Sequence, residues 1–232
     1  MDIPIPSIKP IYHPSPTTPT PKSKSVHTAL QTLHLQPHPE GGYYAETDRH
    51  PLRIPNPYSQ DQSDTNTNTN TNTNTNPNTD TRSLSSTIYY HLTPDSPTSF
   101  FHLNRSRTIH SLHRGRARYV IIHADLATHD GPAPVTSFVV GPDLDKGERM
   151  QWVVEGGKYK SSYLLPDMPS ENGDGESEGL LITEASACRC ISRDTVVPGF
   201  EFEDHEYLSR QTMERLLPEE QYRALSWMLK KD

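Results

Sequence analysis

The stretch SFFHLNRSRTIHSLHRGRARYV, residues 99–120, decides how the rest of the chain is read. Three histidines (His102, His110, His113) and five arginines (Arg105, Arg107, Arg114, Arg116, Arg118) sit among strand-forming residues, with Gly115 at a turn. Before the glycine, Thr108, His110 and Leu112 alternate with Ile109, Ser111 and His113. After it, Arg116, Arg118 and Val120 alternate with Ala117 and Tyr119. A period of two sends alternate side chains to opposite faces of a strand. The pattern predicts a β-hairpin turning at Gly115, with imidazoles and guanidiniums lining something. The same alternation also fits charged side chains that only meet water.

Strands continue on both sides. Upstream, SLSSTIYYHL (83–92) reads as a strand, followed by a Pro/Asp turn and SFFHL (99–103). Downstream come RYVIIHAD (118–125), VTSFVVG (135–141), MQWVVE (150–155), KYKSSYLL (158–165), LLITEASACRCIS (180–192) and TVVPGFEFED (195–204). Short strands at this spacing, parted by Gly, Pro and Asp turns, predict an all-β sandwich or barrel rather than an alternating β/α fold. Two helical patterns flank them. Val26, Ala29, Leu30 and Leu33 mark a short N-terminal helix capped by Ser23 or Ser25. Met213, Leu216, Leu217, Leu225, Met228 and Leu229 mark a C-terminal helical tail (209–232) broken near Pro218.

Other segments cannot contribute to a core. Residues 1–23 are rich in Pro, Ser and Thr and predict a disordered arm. Between Thr65 and Asn76 run six consecutive Thr-Asn pairs, the centre of an expected disordered insertion at 55–82. Residues 166–179 form an acidic loop with five carboxylates and no Lys or Arg. That loop carries −5 of the formal net charge of −7, so the remainder is close to neutral and offers no global field for nucleic acid. The Arg114/Arg116/Arg118 series has no aromatic stacking platform beside it. One domain over 24–208 is expected.

Cys188 and Cys190 are spaced i, i+2, which suits neither a good disulfide nor, alone, a zinc site. They read as reduced thiols of a cytoplasmic protein. The proline-broken N-terminus has no apolar leader core, and no run reaches the length of a bilayer span. No membrane partner is expected.

Four groups of residues together carry a resemblance. They are Pro37-His38-Pro39-Glu40-Gly41-Gly42-Tyr43-Tyr44, Ile88-Tyr89-Tyr90, Ser99 with Phe101-His102, and Val197-Pro198-Gly199-Phe200 with Phe202-Glu203-Asp204. In these the chain resembles cupin family 5, a small cupin domain of unknown function with an RmlC-like jelly roll. The resemblance implies a double-stranded β-helix, that is, a jelly-roll barrel, pairing as a homodimer and enclosing a pocket suited to a small-molecule ligand. It implies no particular activity, because this fold hosts many.

Metal-binding cupins show G-x5-H-x-H-x3,4-E-x6-G and, later, G-x5-P-x-G-x2-H-x3-N. With Gly115 as the last glycine of the first motif, Thr108 stands at the glutamate, and His102 can stand for one of the histidines. Tyr159 stands at the histidine of the second. A metal-free pocket is therefore expected, with no cofactor. A divalent-metal site, which would make the chain an Fe- or Mn-dependent cupin oxygenase with an atypical ligand set, would rest on His102, His110 and a carboxylate such as Glu46 or Glu184.

Two functional classes stay open. One is a metal-independent isomerase, epimerase or lyase with His102 and His110 as the acid/base pair, Tyr90 as proton donor, and Tyr44, Glu46, Arg107, Arg116 and Tyr159 holding a small organic, carboxylate- or sugar-like ligand. The other is a non-catalytic barrel that binds a ligand or partner. Smaller features read as structure. Glu40 and His38 brace the turn at 37–44. The acidic run Glu201, Glu203, Asp204, Glu206 is solvated surface, and His205 beside it shows no metal spacing.

Overall fold

The computed structural model describes residues 3–13, 22–59, 80–128, 131–167 and 190–231. The Thr-Asn tract, Cys188, Glu184 and most of the acidic loop lie outside these residues. Two antiparallel sheets form the walls of a barrel. The first has six strands in the order β1 (Gln36–Pro37), β2 (Tyr43–Arg49), β5 (Ser86–Leu92), β12 (Cys190–Val197), β7 (Arg107–Arg114) and β10 (Gln151–Val154). The second has five, in the order β13 (His205–Tyr207), β6 (Thr98–Asn104), β11 (Tyr159–Leu164), β8 (Ala117–Ile122) and β9 (Val135–Val140). A two-stranded ribbon, β3 (Arg53–Pro55) with β4 (Thr81–Ser83), stands apart.

The expected hairpin at Gly115 does not form. β7 pairs with β12 and β10, whereas β8 pairs with β11 and β9. The Gly115–Arg116 link, with Gly115 at φ 83°, carries the chain from one sheet to the other. The two strands therefore face each other across the interior instead of lying side by side. The alternation itself holds: Thr108, His110 and Leu112 are buried, while Arg107 and His113 are exposed.

The barrel has two cores, one between the inner faces of the sheets and one on the outer face of the second sheet. Leu92, Leu112, Tyr119, Ile121, Phe138 and Leu164 belong to a buried cluster between the sheets. The outer face of the five-stranded sheet is also covered. There Phe101, Val120, Ile122 and Tyr163 join Met213 and Leu216 of α2 (Arg210–Leu216) and Leu225 of α3 (Glu219–Leu225). This double coverage explains why all six residues of β8 are buried. Burying each such large apolar side chain contributes roughly 1.5–3 kcal/mol.

Several expected boundaries shift. The helix α1 (Lys24–Thr32) is capped by Ser23, whose Oγ accepts from the Val26 N–H, as the sequence predicts. Residues 3–13 of the expected disordered arm are placed instead. They contain a 3-10 turn at Ile5–Ser7, and Ile8 is buried under the C-terminal helices at 1% exposure. At the edges of the insertion expected at 55–82, Pro55 belongs to β3 and Thr81 and Arg82 to β4, while residues 60–79 lie outside the described residues. The break expected between Ser192 and Thr195 is absent: β12 runs unbroken from Cys190 to Val197, and the chain turns only at the cis Val197–Pro198 bond. Among the described residues, no helix is long and apolar enough to cross a membrane.

Candidate functional site

A cavity of about 320 Å³ lies between the sheets, at the small end of ligand pockets, which run from about 300 to 1,000 Å³. Its walls are the inward positions of both sheets. Polar residues are concentrated in two groups, each built on a histidine that the sequence singles out.

The first group centres on His110 of β7. Its Nδ1 lies 2.8 Å from Asp194 Oδ1 on the neighbouring strand β12, where the ladder sets His110 opposite Asp194. Its Nε2 lies 3.1 Å from the Tyr119 hydroxyl, which comes from the opposite sheet. Trp152 stacks on the imidazole with ring centroids 5.0 Å apart and an interplanar angle of 8°. The Ser192 hydroxyl donates to Asp194 Oδ1 at 3.0 Å. Burial lowers the His110 pKa, against the pull of Asp194. Burial would raise Asp194, but His110 outweighs it and holds the carboxyl below its usual range. Burial pushes the Tyr119 hydroxyl well above its ordinary pKa, so it stays protonated. An ionised carboxylate at Nδ1 fixes the proton there and leaves Nε2 as the basic nitrogen, here facing a phenol.

The second group centres on Glu40. The turn 37–44 delivers it. Gly41 (φ 93°) and Gly42 (φ 71°) adopt backbone that side chains disfavour, and a Cβ on Gly41 would lie 2.1 Å from the Thr98 carbonyl oxygen. The Glu40 N–H donates to His38 Nδ1 at 3.1 Å, the Phe100 N–H donates to the Glu40 carbonyl, and the Tyr90 hydroxyl donates to the Gly41 carbonyl at 2.7 Å. The Glu40 carboxylate then sits between two imidazoles. Oε2 is 3.3 Å from His102 Nε2, and Oε1 is 2.8 Å from His205 Nε2. The two rings stack with centroids 5.4 Å apart. The ligating atoms of Glu40, His102 and His205 all lie within 4.8 Å of one another, the spacing that suits one metal ion. Burial depresses His102 to about 4, against the charge of Glu40. Burial would raise Glu40, but the surrounding imidazoles keep it below the usual carboxylate range.

His102 Nδ1 lies 2.9 Å from the Phe100 carbonyl, which can only accept. A neutral His102 therefore turns an unprotonated Nε2 toward an ionised carboxylate. That arrangement calls for a cation between them, either the proton of an imidazolium or a metal.

Of the residues the sequence nominates, His102, His110, Tyr90, Tyr44 and Glu46 line the cavity. His102 and His110 both line the cavity, and each is engaged by a different carboxylate, Glu40 and Asp194. Glu46 is committed to Arg49, which donates to it through Nε at 3.0 Å and Nη2 at 2.8 Å. Three nominees lie elsewhere. Arg107 points outward to Glu155 at 3.5 Å. Arg116 is paired with Glu148 beyond the barrel end. Tyr159 packs in the outer core and donates to Glu206 at 2.7 Å. In each case the period of two puts the side chain on the face away from the cavity or past its edge.

Asp194, Tyr119, Lys160 and His205 are the functional candidates that the sequence reading misses. Asp194 falls in the expected break between strands, so its inward face is invisible there. The acidic run is not plain surface either: Asp204 is buried against Arg82, and Glu201 pairs with Arg49. Cys190 is a buried free thiol at the cavity wall, with burial raising its pKa.

Comparison with known proteins agrees with the geometry. Residues 27–208 match the family described as Cupin superfamily (DUF985). The uncharacterized protein YML079W of Saccharomyces cerevisiae is 38% identical over 186 residues, which cover 79% of this chain and 75% of that protein. A hypothetical protein from Leishmania major superposes with a TM-score of 0.64 at 24% identity, covering 88% of this chain and 98% of that one. Protein SO0799 from Shewanella oneidensis superposes with a TM-score of 0.58 at 22% identity, covering 87% and 94%. At these identities the two structures support the fold alone. The jelly-roll walls and the family match over most of its length establish that the chain belongs to the cupin superfamily, in the DUF985 family.

Proposed function

We propose that this cupin is a proton-transfer enzyme, an isomerase, epimerase or lyase, acting on a small organic molecule held between the sheets. The observation that carries the reading is the Asp194–His110–Tyr119 array, with 2.8 Å and 3.1 Å between successive heteroatoms in a buried cavity. Asp194 keeps the proton on Nδ1 and stabilises the imidazolium that forms. His110 Nε2 takes a proton from an acidic C–H of the ligand. Tyr119, held protonated by burial, donates to the oxygen or carbon that gains charge.

A panel of candidate compounds tests this without a named substrate. The protein is incubated in D2O with small carbonyl compounds, hydroxy acids and sugars, and C–H exchange is followed by NMR. Exchange that disappears in His110→Ala supports the reading. Exchange that is absent throughout, or unchanged in His110→Ala, sinks it.

A second reading rests on the bare His102 Nε2 facing Glu40. Glu40, His102 and His205 would hold a divalent cation through one carboxylate and two imidazoles, with the Phe100 carbonyl orienting His102. Such an ion supplies Lewis-acid or redox chemistry when bound. Thr108 and Tyr159 still leave the usual cupin ligand set incomplete, so this would be a different set in the same barrel.

A further inference from the structure

Two basic side chains, Arg49 and Lys160, line the cavity, and their surroundings differ. Arg49 is spent on Glu46 and Glu201. Lys160 of β11 is 4% exposed, and among the described residues it has no ion-pair partner. Its Nζ donates to Thr108 Oγ1 at 3.0 Å. With the Asn104 amide turned so that its oxygen faces the ammonium, a second N–H goes to Asn104 at 3.2 Å. Both acceptors are neutral. An ammonium has three N–H donors, so one remains.

The carboxylates that feel its charge are already engaged. Glu40 lies between His102 and His205, and Asp194 is held by His110 and Ser192. A buried, unpaired charge is costly, and its cost is offset when a partner of opposite sign arrives.

We propose that Lys160 is the anchor for a carboxylate group on the molecule that enters the barrel, with Thr108 and Asn104 holding the ammonium in place. The inference rests on the cavity's being a small-molecule site and narrows its ligand to an organic acid. A single carboxylate balances a single ammonium. A phosphate dianion would add a further negative charge beside Glu40 and Asp194. Thr108, which replaces the expected metal-ligand glutamate, becomes intelligible here. A glutamate at that position would pair with Lys160 and take up the N–H that a ligand needs.

The test uses the fluorescence of Trp152, which lines the cavity. Lactate, 2-oxobutyrate and benzoate are titrated against the methyl ester of each, into wild type and Lys160→Gln, with Lys160→Met as a second variant. Circular dichroism and urea midpoints identify which variants are folded. At least one acid should saturate, bind at least about tenfold more tightly than its ester, and lose that advantage in a folded Lys160 variant. Equal binding of acid and ester, unchanged acid binding in the variants, or no saturation by any acid overturns the anchor. So does a covalent adduct on Lys160 after 2-oxobutyrate and borohydride, which would make the lysine a nucleophile. The two readings fail separately. Lys160-dependent acid binding without C–H exchange removes the proton-transfer reading and keeps the anchor. His110-dependent exchange that treats acid and ester alike does the reverse.

Discussion

The Tyr119 hydroxyl meets His110 Nε2 at 3.1 Å although the two residues belong to different sheets, nine positions apart in the chain. The crossing at Gly115 makes this contact possible. A hairpin would set the strands edge to edge and leave the interior-facing imidazole without this partner from the opposite wall.

Asp194 sets the tautomer of His110. Asp194→Asn removes the charge that keeps the proton on Nδ1 and should lower the C–H exchange rate by about 10²–10⁴-fold with ligand affinity nearly unchanged. NMR exchange rates measured beside fluorescence binding curves check this split. A variant exchanging at the wild-type rate would leave Asp194 with a purely structural role.

Stability should fall as the solution is acidified from neutrality. His102 has a folded pKa of about 4, below the unfolded value, and burial lowers His110 and His38 as well. Between about pH 6.5 and 4 the unfolded chain binds more protons, so its free energy drops relative to the fold. The stability is fully present above the unfolded pKa and is lost through this window. His102 alone accounts for about 3 kcal/mol. Glu40 extends the loss below its unfolded value, since its folded pKa is also depressed. Urea midpoints at pH 7, 5.5 and 4.5 measure the slope, and a folded His102→Gln variant should flatten it.

Gly41 is held by sterics as well as by φ. Gly41→Ala places Cβ on the Thr98 carbonyl and should cost about 2 kcal/mol or more while moving Glu40. Gly147 also has positive φ (75°), but nothing lies near its missing side chain, so Gly147→Ala should cost only about 1 kcal/mol. Chemical denaturation of the two variants separates clash from backbone strain. Equal losses would mean that the clash is relieved cheaply.

Arg82 of the ribbon forks onto Asp204, and both side chains are almost fully buried. Arg82→Met strands a carboxylate one residue before His205 and should destabilise the fold by about 3–5 kcal/mol. Arg82→Met with Asp204→Leu should recover much of that loss. If the single variant is as stable as wild type, the ribbon is not clamping the β13 segment.

If the second reading holds, calorimetric titration with Zn2+ or Mn2+ gives one site per chain. Glu40→Gln or His205→Ala should weaken it by about a hundredfold or more, and Asp194→Asn should leave it unchanged. Equal affinity in Glu40→Gln excludes this cluster as the site.

Much of the barrel is legible in the alternation of β5 to β11, because a strand that divides two environments writes them at every second residue. The placement of His102 and His110 at the cavity follows from the same rule. Partner choice does not. Nothing local distinguishes a hairpin at Gly115 from a crossing between sheets, because the difference lies in hydrogen bonds to β11, β12, β9 and β10. The pair Arg193-Asp194 looks like a turn, since two charges rarely sit mid-strand. It is strand because one face of β12 meets solvent and the other a polar cavity. His205 and Glu40 are far apart in sequence, so only the pairing of β13 with β6 reveals that they meet. Lys160 is hidden for a related reason: in Tyr159–Leu164 it shares a face with Ser162, a polar pattern that reads as solvent-facing although both residues line the cavity.

The packing of Ile8 under Met213 and Leu225, with α3 resting on the Ile5–Ser7 turn, bears on how the chain is made. Ile8 leaves the ribosome early, and the helices that bury it leave only after every strand of the barrel. During synthesis the outer face of the five-stranded sheet is therefore uncovered, and its apolar residues are open to chaperones or to a second nascent chain. The cover over that face therefore joins two segments that lie on either side of the barrel in sequence. A shortened or tagged N-terminus would be felt first at the C-terminal helices, on the side of the barrel away from the cavity.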